Sequence, residues 1–482
     1  MAGKHISLSD LSKEKNFEFT PKLRQQLKIA MIVGVVLLVV GIIMWQLGFG
    51  LGGDEHGAHG GGHDAGGHGG GDHGGGDHGG SGGHGGKKHG GEHAPAGHGA
   101  GGGGGAEGGG HHAFHWTKRL FVDLWHNGVF FTGIGVIGVF FVAFNYVAIA
   151  GWSTLIKRIP ETFGNFLPFT GLLLLVIFFV GGHDIFHWTD TSLSDPKSPH
   201  FDKIIAGKVG YLNTPFFVVR MVIYFGLWYL MFRLMRKMSL REDKEVDFYK
   251  YTKNPVFHRK SGIYAAIFIV IFAVTSSTAA WDWVMSIDTH WFSTMFGWYM
   301  FASWFVTGMA TIALYVIVLK SKGYLKHVKD SHIHDLGKFI FAFSIFWTYI
   351  WFAQFLLIYY ANIPEETVYF LHRMEDFGFL FYFNIIINFA FPFLFLMTRA
   401  AKRRTLLVKV AAVGVIFGHW LDFYMMIMPG TVGKHAGFGF VEIGLAILFV
   451  AGFIWVTASA LAKANIVPKN HPMIEESLSH DI

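Results

Sequence analysis

The chain has 482 residues, of which 51% are hydrophobic, 17% aromatic and 15% charged, with a formal net charge of +6 and no cysteine. Without cysteine it can form no disulfide, hold no Cys-ligated iron–sulfur cluster and attach no c-type haem, so if it takes part in electron transfer the metal centres belong to partner subunits. The basic excess follows a membrane-topology pattern, which makes a nucleic-acid partner the poorer explanation.

After a short N-terminal segment, 1–27, ten apolar stretches lie near 28–49, 127–150, 163–182, 213–236, 261–283, 291–319, 337–361, 377–398, 405–428 and 438–462. Each matches the ~20 residues a helix needs to cross a bilayer's hydrocarbon core. None alternates with the period of a lipid-facing barrel strand, so only helices can satisfy their backbone groups in lipid. The first stretch is long for a signal h-region and lacks a small-residue cleavage site, and it reads as a retained span. The predicted fold is therefore an all-α integral membrane bundle of about ten transmembrane helices. Its membrane domain covers 117–465, after a loop at 50–116 and before a C-terminal tail at 466–482.

The connections set the orientation. Twenty-nine of the 39 Lys and Arg fall on the side that also holds both termini, which predicts both termini in the cytoplasm. Trp45, Trp152, Trp188 and Tyr359 stand near span ends, where interfacial anchoring is expected.

The loop between the first two spans is a Gly/His tract holding 13 of the 28 histidines. It offers too little apolar surface to offset chain entropy, and disorder on the outer side is expected. Its imidazoles could bind divalent metal weakly, but their irregular spacing gives no fixed coordination geometry, which favours a solvated linker.

Ionisable groups at membrane depth are costly and carry functional hypotheses. His183, Asp184 and His187 fall at the outer end of the third span, Arg220 in the fourth, and Asp282 at the end of the fifth. Asp288 and His290 lead into the sixth, His419 and Asp422 share a face of the ninth, and Glu442 opens the tenth. This placement suggests acid–base chemistry at one membrane surface, although Asp288, His290 and Glu442 also suit wet helix ends. His183 and His187 have metal-ligand spacing, but no third ligand is identifiable. Only His419 lies inside a span, so a haem held by two histidines is not expected. Thr307, Thr311, Gln354, Asn384 and Asn388 could extend a hydrated route or simply bridge helices, and Pro392 is expected to kink the eighth span.

The run Trp281-Asp282-Trp283-Val284-Met285-Ser286-Ile287-Asp288-Thr289-His290-Trp291-Phe292-Ser293-Thr294 resembles a signature of the polysulfide-reductase (NrfD-like) membrane family. It is most similar to the ActF branch, the second quinone-binding-type subunit of alternative complex III. Gly182-His183-Asp184 and Arg220 agree with the comparison, which covers roughly 118–465, whereas the Gly/His insertion departs from the family pattern.

The resemblance implies an integral subunit of a menaquinol:cytochrome c oxidoreductase in a bacterial inner membrane, with no redox cofactor of its own. Its partners would be an NrfD-like paralogue, an iron–sulfur protein and multihaem and monohaem c-type cytochromes. Helices two to five and six to nine would form two four-helix bundles, flanked by the first and tenth. A menaquinone pocket would map to His183, Asp184, Arg220 and Asp282. A proton path would run through Asp288, His290, His419, Asp422 and Glu442. Whether this chain binds quinol or only conducts protons stays open, as do a divalent-metal/proton transporter and a purely structural membrane anchor.

Overall fold

The structure, a computed structural model, describes residues 14–47, 116–245, 247–433 and 436–481. The Gly/His tract, with the disorder and metal binding expected of it, lies outside the described residues. Ten helices are long and apolar enough to cross a membrane, and no strand occurs among the described residues. The protein is an all-α, multi-span membrane protein, as the apolar runs indicated.

The spans are α1 (Pro21–Gln46), α2 (Trp116–Val147), α3 (Leu167–Ile185), α4 (Thr214–Glu242) and α5 (Val256–Trp283), followed by α6 (Phe296–Ser321), α7 (Asp330–Ala361), α8 (Gly378–Leu396), α9 (Thr405–Thr431) and α10 (Phe440–Leu461). Several begin where the sequence supplies a cap: Thr20 accepts from the Leu23 N–H ahead of Pro21, and Asn213 accepts from Phe216 N–H at 3.0 Å. In α8, Pro392 has no N–H to offer the carbonyl of residue 388, and the helix passes through a π turn at Ile386–Ala390.

Helices α2 to α5 close into one four-helix ring and α6 to α9 into another, with α2 and α5 packed against α6. The expected pair of bundles is present. Helix α2 runs between them and is the most buried span at 89%, which explains its small and aromatic surface: Gly133 leaves room for the Trp304 ring of α6. It starts eleven residues earlier than hydropathy suggests, because Lys118, Arg119, Asp123 and His126 interrupt the apolar pattern while still belonging to the helix.

Outside the rings, α1 pairs with α10. A Cβ on Gly444 would stand 2.7 Å from the Gly34 carbonyl oxygen, so the two backbones touch. Because lipid gives no hydrophobic drive to helix association, such small-residue contacts hold spans together. Gly444→Leu is expected to release α1, measurable as loss of a disulfide crosslink between cysteines placed on α1 and α10.

One membrane face carries the N-terminal segment and the C-terminal residues; we call it the terminal face and the opposite one the far face. The C-terminal tail expected at 466–482 is described to residue 481 and folds back as a strap across both bundles. Ser477 Oγ donates to the Trp152 carbonyl at 2.6 Å, Asn470 Nδ2 to the Glu242 carbonyl at 3.1 Å, and His480 Nε2 stands 2.9 Å from Asp335 Oδ2. Beneath it Arg158 bridges Glu161 (2.7 Å) and Asp243 (2.6 Å).

His471 anchors the strap as a neutral imidazole: its Nδ1 accepts from the Met473 N–H at 3.2 Å, and burial beside Lys157 pushes its pKa well below 6.5. The unfolded strap therefore binds the proton more readily than the folded one. The anchor's contribution is complete above about pH 6.5 and declines as pH falls below it. Faster proteolytic clipping after residue 463 at pH 5 than at pH 7.5 is expected, and His471→Gln should flatten that difference.

Candidate functional site at the far face

Asp422 in α9 is fully buried. Three helices supply its donors: Trp347 Nε1 of α7 and Asn384 Nδ2 of α8, each at 2.9 Å, and the Tyr299 hydroxyl of α6. One turn away on the same face, His419 Nδ1 lies 3.7 Å from Asp422 Oδ2 and 2.9 Å from Ser303 Oγ. Asn388, in the π turn, donates to Asn384 Oδ1 at 2.6 Å and to the Gly418 carbonyl at 2.9 Å, which carries the network a turn further inward. Thr307 and Thr311 instead donate to carbonyls of their own helix.

Toward the far face, Tyr299 and Asn384 line a cavity of about 20 Å³ with Gln354, Arg373 and Trp291. That is room for about one water. Beyond it opens a second cavity of about 870 Å³, lined among others by His187, Asp202, Asp288, His290, His372 and Arg373.

Three residues line both spaces: Trp291, Tyr369 and Arg373. The Trp291 and Tyr369 rings stack with centroids 3.8 Å apart, and the Arg373 guanidinium lies 3.4 Å from the Tyr369 ring centroid. Arg373 is held by Asp288 Oδ2 at 2.9 Å and by the carbonyls of Tyr369, Met425 and Met426. Tyr369 and Arg373 come from the surface helix Pro364–Glu375, and Trp291 from the connection into α6. Burial pushes the Tyr369 phenol up, which keeps it neutral. At the cavity wall, burial alone would raise the Asp202 carboxyl, but the hydrogen bond with His290 (2.6 Å) and the N–H groups of Ile204 and Ile205 hold it below the usual range.

A second buried group joins α2 to α10. Arg119 Nε donates to Glu442 Oε1 at 2.9 Å, while Glu442 Oε2 accepts the Gly439 N–H at 2.7 Å. Asp123 and His126, on the same stretch of α2, are fully buried, with His126 Nε2 2.9 Å from the Trp420 carbonyl oxygen.

The four residues expected to form a quinone pocket do not converge. Arg220 grips both oxygens of Asp282 (2.8 and 2.9 Å), Tyr224 adds a third donor at 3.0 Å, and the remaining guanidinium nitrogen donates to the Tyr211 carbonyl. That pair is closed and offers a quinone carbonyl no free donor. His183 and Asp184 point elsewhere because α3 kinks at Gly181 and ends at Ile185. His183 is exposed and bonds to Thr189 at 2.8 Å, and Trp188, expected at the interface, is buried against Phe178 and Phe217. These four residues therefore form no single pocket. Among the described residues no three His, Asp or Glu side chains stand close enough to hold a metal ion.

Of the expected proton-path residues, Asp422 and His419 share one network, Asp288 and His290 line the outer cavity, and Glu442 sits apart with Arg119. Sequence reasoning passed over Arg119, Asp123, His126 and Arg373. The i,i+4 spacing of Arg119, Asp123 and Asn127 was the available signal for the first group; Arg373 looked like one of a few far-face cations.

No family model matches the chain, and no curated protein matches it. Fold and site together define a ten-span helical membrane protein with a buried carboxylate network leading to a water-sized space behind an arginine plug.

Proposed function

We propose that the chain is a proton-conducting membrane subunit of a menaquinol:cytochrome c oxidoreductase of the alternative complex III type. It sits in a bacterial inner membrane with both termini in the cytoplasm, and the electrons travel through iron–sulfur and c-type haem centres on partner subunits. The orientation is supported by the 29 of 39 basic residues that the sequence assigns to the side of the termini, and the complex by the resemblance of Trp281–Thr294.

The observation that carries proton conduction is the polar line from Asp422 through Tyr299 and Asn384 to the small cavity, and from there past Arg373 to Asp288. A buried carboxylate with an adjacent imidazole is suited to taking and releasing protons. Tyr299 and a water in the small cavity connect it to Asp288. Arg373, bound to Asp288 and stacked on the Tyr369 ring, closes the line toward the far face.

The test is purification of the tagged, full-length chain from its native membrane. Haem and iron–sulfur proteins should co-purify with it and oxidise menaquinol. Recovery alone, with zinc-dependent proton flux in liposomes, would instead make it a metal/proton transporter. A complete complex whose proton release survives Asp422→Asn would reduce the chain to an anchor.

A further inference from the structure

On the lipid-facing wall of the first bundle, α3 and α4 part to leave an apolar groove of about 340 Å³, lined among others by Leu167, Gly171, Leu175, Phe225, Gly226 and Tyr229. Exposed Phe169, Leu172, Val222 and Leu230 continue the apolar surface around it. Gly226 forms an open stretch of its floor: a Cβ built there meets nothing within 4 Å. In a bilayer such a groove fills with hydrocarbon, since a void forfeits dispersion contacts on one side.

The groove also has a charged end. Following Tyr229 down α4 toward the terminal face, Arg233 and Lys237 come four and eight residues later, on the same side of the helix. Both are exposed, the Arg233 guanidinium lies 5.9 Å from the Tyr229 ring centroid, and neither meets a carboxylate among the described residues. The neighbouring Arg236 behaves differently: it is buried and spends its donors on the Glu161 and Ala460 carbonyls. Two outward cations left uncompensated at headgroup depth, one of them a guanidinium that suits a phosphate's paired oxygens, complement an anion there.

We propose that this groove is a binding site for an anionic diacyl phospholipid of the terminal-face leaflet, with one acyl chain lying against Gly171 and Gly226 and the phosphate held by Arg233 and Lys237. The apolar walls take the chain whatever its headgroup. The two cations select the headgroup's charge.

The full chain, purified in neutral detergent, would be titrated with phosphatidylglycerol and separately with phosphatidylcholine of the same acyl chains, reading lipid bound by native mass spectrometry. One phosphatidylglycerol should bind saturably and more tightly than phosphatidylcholine. At about 1 kcal/mol for each cation facing an anionic headgroup, the double variant Arg233→Ala, Lys237→Ala should weaken phosphatidylglycerol about thirtyfold and phosphatidylcholine, whose choline offsets its phosphate, much less. Gly226→Leu, which grows into open space, should weaken both lipids alike. Equal binding of the two lipids by the unmodified chain would overturn the proposal, as would a Gly226→Leu chain that binds both undiminished. The double variant changes only exposed side chains, so its result does not depend on how Gly226→Leu folds.

Discussion

On the proposed function, Asp422→Asn is expected to slow proton release by about a hundredfold, the scale at which a positioned acid–base group acts, while the complex still assembles. The amide keeps the carboxylate's shape, and its oxygen can still accept from Tyr299 and Asn384, which both reach Oδ1. Its nitrogen then faces Trp347 Nε1, donor against donor, at a cost of about 1–3 kcal/mol. Asp422→Leu should be far worse, because Trp347, Asn384 and Tyr299 would all lose their acceptor in a dry interior. A pH dye inside sealed vesicles, followed during a menaquinol pulse together with cytochrome c reduction, separates proton release from electron flow. Undiminished release in Asp422→Asn would remove Asp422 from the path.

The second large effect concerns the closed pair in the first bundle. Arg220→Ala leaves Asp282, 1% exposed, without its bidentate partner. Breaking a buried ion pair from one side costs about 3–5 kcal/mol, so a marked fall in the thermal unfolding midpoint is expected. The double variant Arg220→Met, Asp282→Leu removes both charges and keeps the volume, and it should recover most of that loss. If the pair only braces α4 against α5, menaquinol oxidation in the double variant stays near normal. A stable double variant that cannot oxidise menaquinol would restore the pair to the chemistry.

The contrast between these two carboxylates shows how far the sequence could be read. All ten spans were visible because a lipid-exposed helix must be apolar along its length, and α2 was cut short only where Arg119, Asp123 and His126 face protein instead of lipid. The neighbourliness of His419 and Asp422 follows from three-residue spacing on one helix. The donors Tyr299, Trp347 and Asn384 come from three other helices, and their meeting at Asp422 depends on crossing geometry that no local pattern encodes. His183 and Asp184 were grouped with Arg220 by the family resemblance; α3 kinks at Gly181 and ends at Ile185, which leaves His183 exposed. Arg373 was hidden because a cation in a short amphipathic connection ordinarily sits in water, and only the tertiary fold folds it under Trp291 and Tyr369.

The Gly34–Gly444 contact has a consequence for biogenesis. Helix α1 leaves the ribosome about 400 residues ahead of α10, and at bacterial synthesis rates of about 5–20 residues per second that is on the order of a minute. Throughout that interval the nascent first span waits in lipid without its mate. A membrane-embedded protease or insertase that surveys unpaired spans therefore has its window there, and slower translation of the last third of the message would widen it.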